Sequence, residues 1–262
     1  MFQPQPREYS KGETRRHRVA VLIPCLNEEQ TIAEVVRQFR AELPGAVVYV
    51  CDNGSSDRTA ERACEAGAEV IVERRRGKGR AVRRLFSNVE ADVYLMVDGD
   101  GTYPAEAARG LLRPVLDGRV DMTVGSRWHE RSGSRSKAIN LWGNRLLRFA
   151  TNLIFDSSLT DVLSGYRAFS KEFVERARVS STGFEVEVEL TVKAIRRGGR
   201  VVEVPVELRP RPRGSRSKIR LWRDGVAIMV KLLVMSYGHK PSRLSGGGSR
   251  PEGNEPYVAT TR

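Results

Sequence analysis

The sequence predicts an α/β fold in which a mainly parallel sheet carries helices on both faces. Short apolar runs alternate regularly with helical patterns through the first half of the chain, and this alternation is typical of βαβ units. Turn-forming or charged residues follow each apolar run. With 262 residues, 40% of them hydrophobic, the chain can bury one substantial core. We therefore expect a single domain with tails.

The expected strands and helices of the first half alternate one by one. The strands are expected at Val19–Pro24, Ala46–Cys51, Glu69–Glu73 and Val93–Val97. The helices are expected at Thr31–Leu43, Asp57–Ala66, Lys78–Asn88 and Pro104–Leu116. Each strand is thus followed by a helix that can return the chain to the same edge of the sheet.

The second half of the chain gives a weaker pattern. Phe184–Leu190 alternates with a period of two, which favours a strand, yet the pattern continues to Arg197 in a helix-like way, and both interpretations stay open. Val201–Val206 favours a strand. Ile219–Tyr237 carries apolar residues at helical spacing, with basic residues at its start.

These patterns divide the chain into one domain and its extensions. We expect a catalytic domain at residues 19–218 and an amphipathic helix at 219–238 that suits a membrane surface. The polar residues 1–18 and the Gly, Ser, Pro and Arg-rich residues 239–262 are expected to be disordered. Residues 1–18 contain no apolar signal segment, which predicts a cytoplasmic protein.

The net charge of +13 is concentrated in three clusters of Lys and Arg. The clusters lie at residues 74–84, 127–148 and 209–223, and Glu130 is the only acidic residue within them. Such local charge favours sites that hold phosphates or lipid headgroups. No recognised nucleic-acid-binding motif is present, so no nucleic-acid partner is expected.

Four polar motifs follow the four expected strands. They are Pro24-Cys25-Leu26-Asn27-Glu28, Asp52-Asn53-Gly54-Ser55, Gly77-Lys78-Gly79 and Asp98-Gly99-Asp100. Because ligands of parallel sheets collect beyond the carboxyl ends of the strands, these motifs predict one site at that edge.

Asp98 and Asp100 are the expected metal ligands. They stand one residue apart after an apolar run, so both carboxylates can approach one hard cation. A divalent ion there would neutralise the charge of a departing diphosphate. The alternative is an ordinary turn rich in Asp and Gly. The position beside three other polar loops favours the metal.

The remaining motifs each allow two interpretations. Asp52 can recognise a nucleobase, whereas the residues after it favour capping of the next helix. Lys78 can hold phosphate or belong to a solvated basic loop. The loop Asp161–Arg167 can form a site or pair its acid and arginine locally. The basic run Arg209–Lys218 can close over a phosphorylated ligand, or it can be a solvated tail or a nucleic-acid patch.

Taken together, these motifs resemble the inverting glycosyltransferases of family 2, and within it the polyprenyl-phosphate (dolichyl-phosphate) hexosyltransferases. The resemblance runs from Val19 to Lys231 and rests on the order of the motifs. That order is Pro-x-x-Asn-Glu, Asp-x-Gly-Ser, Gly-Lys-Gly, Asp-x-Asp, Gly-Ser-Arg, Ser-Gly-Tyr-Arg and Arg-x-x-Gly followed by Ser-Lys. The resemblance implies a GT-A fold. It also implies a helix over Phe184–Arg197 in place of a strand.

The resemblance assigns roles to individual residues. The implied donor-binding residues are Pro24, Asn27, Glu28, Asp52, Lys78, Asp98, Arg211, Ser217 and Lys218. Asp98 and Asp100 would hold Mg²⁺ or Mn²⁺, and Thr102 stands where relatives often have a further Gln or His ligand. The implied acceptor-side residues are Arg127, Asp161, Ser164 and Arg167, a second arginine at Arg135 with Arg131 or Lys137 as alternatives, and Glu187 or Glu189 on an acidic helix.

The expected activity is transfer of a hexose or N-acetylhexosamine from a GDP- or UDP-sugar to a polyprenyl phosphate. Asp100, Arg127 and Asp161 are the expected catalytic residues. An alternative is a soluble hydroxyl acceptor, which would require a general base, and Asp161 is the candidate. The protein is expected on the cytoplasmic face of the membrane. Arg220, Arg223 and Lys231 would face the anionic surface, although the same helix could instead pack on the domain.

Overall fold

One seven-stranded sheet forms the centre of the molecule, whose computed structural model describes residues 17–127, 147–155, 157–211 and 221–237. The strands are β1 (Val19–Cys25), β2 (Val47–Asp52), β3 (Glu69–Val72), β4 (Val93–Met96), β5 (Met122–Ser126), β6 (Arg167–Ser170) and β7 (Val201–Pro205). Their order across the sheet is β3-β2-β1-β4-β6-β5-β7. Only β6 runs antiparallel to its neighbours. The expectation of a mainly parallel sheet is confirmed.

Helices cover both faces of this sheet. They are α1 (Ile32–Glu42), α2 (Thr59–Glu65), α3 (Lys78–Asn88), α4 (Ala108–Leu116), α5 (residues 147–155), α6 (Lys171–Ala177), α7 (Val186–Arg196) and α8 (Leu221–Ser236). A 3-10 turn, Ala105–Ala107, precedes α4. The helices of the first half begin and end close to the expected residues.

The central strand β1 divides its side chains between two cores. Val21 and Ile23 pack on one face with α1 and α4, whereas Ala20 and Leu22 pack on the other face with α3 and α7. Successive side chains of a strand point to opposite faces, so a strand buried on both sides is apolar at every position. This explains the continuous apolar run at the start of the domain.

The segment that the period-two pattern assigned to a strand is the helix α7, as the resemblance implied. Val186 and Leu190 pack against the sheet, while Val188 and Val192 contact a third cluster that includes Ile228 of α8. A helix that is buried on two faces needs apolar residues four apart on each face, and the two sets together mimic alternation. The strand expectation was therefore wrong.

The helix α8 packs on the domain through one face. Ile228 and Leu232 are buried against α5 and α7, so the packed alternative holds for that face. Lys231, which was expected to face a membrane surface, instead contacts Glu189 of α7 at 3.3 Å. Within the described ranges, no helix combines the length and apolar character needed to cross a membrane.

Candidate active site

The loops after β1 and β2 are joined through Asn27. This residue adopts a left-handed backbone (φ 51°), which asparagine tolerates better than most residues. Its amide donates a hydrogen bond to Ser55 Oγ (2.9 Å), and its Oδ1 accepts one from the amide of Ser56 (2.8 Å). The neighbouring amide of Glu28 donates to Thr59 Oγ1 (2.8 Å). Asn27 and Glu28, both expected at the donor site, therefore border the loop that follows Asp52.

Asn53 holds the loop after β2 against the segment that leads to Lys78. Its Nδ2 donates to the carbonyl oxygens of Glu73 (3.0 Å) and Arg75 (2.8 Å), and its Oδ1 accepts from the amide of Gly77 (2.6 Å). The motif analysis treated Asn53 only as part of a turn. Its side chain in fact satisfies three backbone groups of the segment that follows β3, a role that the Asp-Asn-Gly-Ser motif alone does not specify.

The two other expected nucleoside residues lie on adjacent strands. Pro24 of β1 is paired in register with Cys51, the residue before Asp52 at the end of β2. Asp52 is mostly buried, and its carboxylate accepts a hydrogen bond from the amide of Ser55 at 3.4 Å. The structure thus brings Pro24, Asn27, Glu28 and Asp52 to one corner of the strand-end edge.

Lys78, the first residue of α3, bridges two carboxylates. Its Nζ lies 2.5 Å from Asp98 Oδ1 and 2.5 Å from Glu187 Oε1, and the Phe184 ring centroid is 5.9 Å away. Burial alone would lower the pKa of Lys78, but the two carboxylates outweigh it and raise the pKa above its usual value. The side chain is therefore a fixed positive charge beside Asp98.

Glu187 supports this lysine from α7. Its carboxylate is fully enclosed, and burial raises its pKa. One oxygen contacts Lys78, whereas Oε2 is buried and has no hydrogen-bond partner among the residues that the structure describes. A buried polar atom without a partner is costly and is often found at functional sites. Of the two acidic candidates on α7, Glu187 is the one in contact with Lys78.

Asp98 and Asp100 belong to one loop that follows β4. Asp100 Oδ1 accepts hydrogen bonds from the amide (3.0 Å) and hydroxyl (2.6 Å) of Thr102, and Oδ2 lies 2.5 Å from Arg211. Thr102, at the position where relatives carry a further ligand, here fixes the Asp100 carboxylate. The Asp98 carboxylate lies so close to the backbone of Gly165 that a side chain there would collide with it.

Positive charge stands at both aspartates, because Lys78 contacts Asp98 and Arg211 contacts Asp100. Among the described residues, no group of three or more His, Cys, Asp or Glu side chains is arranged to hold a metal ion. The carboxylates of Asp98 and Asp100, from one loop, are the metal ligands that this site offers. Thr31 Oγ1 donates to the carbonyl oxygen of Gly99 between them (2.7 Å), which ties this loop to the start of α1.

Arg127 and Asp161 form a bidentate ion pair beyond the end of β5. Arg127 Nε and Nη2 lie 2.5 and 2.8 Å from the two carboxylate oxygens. Burial would raise the pKa of Asp161, but the hydrogen bonds and charge of Arg127 hold it below its usual value. Glu203 of β7 was not identified from the motifs. It accepts a hydrogen bond from the amide of Asp161 (2.7 Å) and so ties the loop that carries Asp161 to the sheet.

Two residues expected to contact the acceptor are buried instead. Ser164 and Arg167 have no exposed surface. The Arg167 guanidinium donates to the carbonyl oxygens of Ser164 (2.7 Å) and Val162 (2.9 Å) and to Thr191 Oγ1 (2.7 Å). Its burial lowers its pKa. Arg167 therefore shapes the loop that carries Asp161, and it is not placed to touch an acceptor.

Tyr103 connects the aspartate loop with the acceptor-side loop. Its hydroxyl accepts a hydrogen bond from the amide of Gly165 (3.1 Å) and lies 3.4 Å from Ser164 Oγ. The sequence motifs did not single out this residue, although an aromatic side chain three residues after Asp100 was a usable signal. Five further expected site residues, Arg131, Arg135, Lys137, Ser217 and Lys218, lie outside the described residues.

The sequence is similar to known proteins over most of its length. The model of the family described as Glycosyl transferase family 2 matches residues 20–178. The glycosyltransferase AglJ of Haloferax volcanii is 39% identical over 224 residues, which are 85% of this chain and 73% of that protein. The polyprenol monophosphomannose synthase of Mycolicibacterium smegmatis is 30% identical over 246 residues, covering 82% of this chain and 88% of the relative.

The fold is similar to that of a solved enzyme. Glucosyl-3-phosphoglycerate synthase from Mycobacterium tuberculosis, crystallised with Mn²⁺, UDP-glucose and phosphoglyceric acid, superposes with a TM-score of 0.72. The match covers 89% of this chain and 86% of that chain at 24% identity, a level at which it informs on the fold alone. The expected GT-A fold is confirmed.

Proposed function

Since the chain belongs to glycosyl transferase family 2, we propose that it transfers a hexose or N-acetylhexosamine from a GDP- or UDP-sugar to a polyprenyl phosphate, with inversion. The observation that carries this proposal is the contact between the aspartate loop and the acceptor-side loop. The Asp98 carboxylate abuts Gly165 of the loop that carries Asp161, and Asp161 pairs with Arg127 beyond β5. Burial would lower the pKa of Arg127, but Tyr103, Asp161 and, to the smallest extent, Asp98 raise it.

Asp98 and Asp100 fit a divalent cation. Carboxylate oxygens are the ligands that Mg²⁺ and Mn²⁺ prefer, and side-chain cations already stand at both carboxylates in this structure. When bound there, Mg²⁺ or Mn²⁺ supplies positive charge that stabilises the departing nucleoside diphosphate. Lys78 and Arg211 are then the protein's own cations for the phosphates of the donor, while Pro24, Asn27, Glu28 and Asp52 line the nucleoside corner.

The acceptor-side residues favour a phosphate over a hydroxyl. A phosphate monoester has a second pKa of about 6 and is largely a dianion at neutral pH, so it needs little help from a base. Asp161 is a weak proton acceptor, because Arg127 lowers its pKa and occupies both carboxylate oxygens. Arg127 positions the acceptor phosphate, whose oxygen bonds to the anomeric carbon as the bond from that carbon to the diphosphate breaks.

We also propose that the protein binds an anionic membrane surface. Of the nine exposed large hydrophobic side chains among the described residues, seven lie on or directly after α5 and α8. They are Phe149, Leu153, Val226, Val230, Leu233, Val234 and Tyr237. Arg223 of α8 is largely exposed beside this surface. Exposed apolar side chains next to basic ones suit the boundary between headgroups and acyl chains.

Two measurements test the proposed function. The first is a thermal shift of the protein with a panel of UDP-, GDP- and dTDP-sugars in the presence of Mn²⁺, where the true donor raises the Tm. The second is transfer of radiolabelled sugar from that donor to polyprenyl phosphate, followed by extraction of the lipid. A product that stays in the aqueous phase would favour the soluble hydroxyl acceptor, and a panel without any stabilising donor would contradict sugar transfer.

A further inference from the structure

Glu189 of α7 holds the segment that precedes the helix. Its side chain has no exposed surface. Oε1 accepts hydrogen bonds from the amide (2.9 Å) and hydroxyl (2.7 Å) of Ser180, and Oε2 accepts from the amide of Ser181 (2.6 Å). Hydrogen bonds to a charged acceptor are stronger than neutral ones. The position of Ser180 and Ser181 therefore depends on this one carboxylate.

The same carboxylate is also reached from the C-terminal helix. Lys231 of α8 places its Nζ 3.3 Å from Glu189 Oε2 and 2.9 Å from Ser180 Oγ. The Lys231 side chain is only 19% exposed, so this contact is well shielded from solvent. Lys193 of α7 itself lies 2.5 Å from Glu189 Oε1 and donates to the carbonyl oxygen of Arg178 at the end of α6 (2.7 Å), so it supports the start of the same segment.

The segment held by Glu189 packs directly against the start of α3, which carries Lys78. The amide of Gly79 donates to the carbonyl oxygen of Gly183 (3.1 Å). A side chain at Gly77 would collide with the carbonyl oxygen of Thr182, and one at Gly79 with that of Ser181. With no space between the two backbones, a displacement of residues 181–183 must displace Gly77 and Gly79, and with them Lys78.

From these contacts we infer that Glu189 is a positioning residue that couples the packing of α8 against α7 to the position of Lys78. The coupling runs from Lys231 to Glu189, then through the backbone of residues 180–183 to the start of α3. It rests on the proposed function in one respect, the role of Lys78 toward the donor phosphates. Its consequence is that a surface contacting α8 acts on donor binding without touching the donor.

Amide hydrogen exchange in Lys231→Met tests the coupling without any sugar. The control is Lys171→Met, whose lysine pairs with Glu175 on the exposed side of α6. In Lys231→Met, we expect the amides of Ser180, Ser181 and Gly79 to exchange about tenfold faster, because the loss of a shielded charge-assisted contact favours local opening. The Gly79 amide of Lys171→Met should keep the wild-type rate, and Lys231→Arg should restore it. Unchanged exchange at Gly79 in Lys231→Met, or an equal change in both Met variants, would overturn the inference.

Kinetics on the same variants provide the second readout. Lys231→Met is expected to raise the donor KM about tenfold with little change in kcat, since the chemistry itself is not touched. Lys171→Met is expected to leave the donor KM unchanged. A fall in kcat alone would contradict a positioning role. A wild-type protein that transfers no sugar would refute the proposed function, while the exchange measurement would still decide the coupling.

Discussion

Arg127 is the residue on which the proposed preference for a phosphate acceptor depends most. Because it contacts both oxygens of Asp161 and remains partly exposed, it can offer its remaining donors to a phosphate. Arg127→Ala is expected to raise the KM for polyprenyl phosphate about tenfold to a hundredfold, measured by initial rates at saturating donor. The Kd for the nucleotide should stay near the wild-type value.

Arg109→Ala is the matched control for that change. Arg109 also forms an ion pair with a carboxylate, Glu42, but on the outer surface of α4. In Arg109→Ala we expect no change in the KM for polyprenyl phosphate or in the Kd for the nucleotide. Equal weakening of donor and acceptor binding in Arg127→Ala would show that the arginine serves the whole site and would contradict its assignment to the acceptor.

Glu189 gives the molecule a specific dependence of stability on pH. Burial would raise its pKa, but the hydrogen bonds from Lys193, Ser181 and Ser180 hold it well below the usual value. A depressed pKa stabilises the folded state above the unfolded value of about 4.3 and loses that effect as the pH falls below it. Glu189→Gln should therefore lower the free energy of unfolding by about 3 kcal/mol at pH 7.

Urea unfolding of wild type and Glu189→Gln between pH 7 and pH 3 measures this effect. The difference between the two proteins should shrink as the pH falls through the acidic range. A difference that stays constant over the whole range would mean that the ionised carboxylate does not stabilise the fold.

At the scale of elements, the close approach between α3 and residues 181–183 makes Gly79 irreplaceable. A methyl group at Gly79 would meet the carbonyl oxygen of Ser181, so Gly79→Ala should lower the free energy of unfolding by about 2 kcal/mol. Gly225 is also helical, but open space surrounds its Cα. Gly225→Ala should therefore raise stability by about 0.5–1 kcal/mol, and thermal melts of both variants compare them. A neutral Gly79→Ala would show that the two backbones can separate.

The elements also show what the sequence could and could not predict. The first four strands and their helices were predicted because continuous apolar runs of strand length alternate with segments of helical period. For α7 the local pattern left strand and helix open, because two buried faces combine into alternation. The motif order identified the strand-end loops, but not Asn53, Tyr103 or Glu203, whose contacts join residues far apart in the chain. Local patterns contain no information on such contacts.

The expected contacts of Ser164 and Arg167 failed for a related reason. Motif order showed that these residues belong to the site loop, but it did not show whether their side chains face outward or inward. Arg167 turns inward because carbonyl oxygens and Thr191 satisfy its donors. Burial of an arginine with neutral acceptors is rare and was not predictable from composition.

At the scale of the whole molecule, the apolar surface of α5 and α8 predicts binding to membranes. Wild type should float with vesicles that contain anionic lipid and less with neutral ones. The variant Leu153→Ser/Val234→Ser should bind these vesicles about tenfold more weakly, since each serine removes an apolar side chain from the surface. Val47→Ser/Val72→Ser changes two exposed valines of β2 and β3, outside that surface, and should bind normally. Equal binding of both variants would refute this surface.

Sugar transfer by Asp98→Asn/Asp100→Asn tests most directly whether the aspartate loop performs the chemistry. The rate is measured at saturating Mn²⁺ and donor, beside wild type and Asp92→Asn, whose carboxylate pairs with Arg18 before β4. We predict a loss of about a thousandfold or more in the double variant, because neither carboxylate can then hold the cation at the diphosphate, and normal transfer by Asp92→Asn. Full activity of the double variant would contradict the proposed role of Asp98 and Asp100.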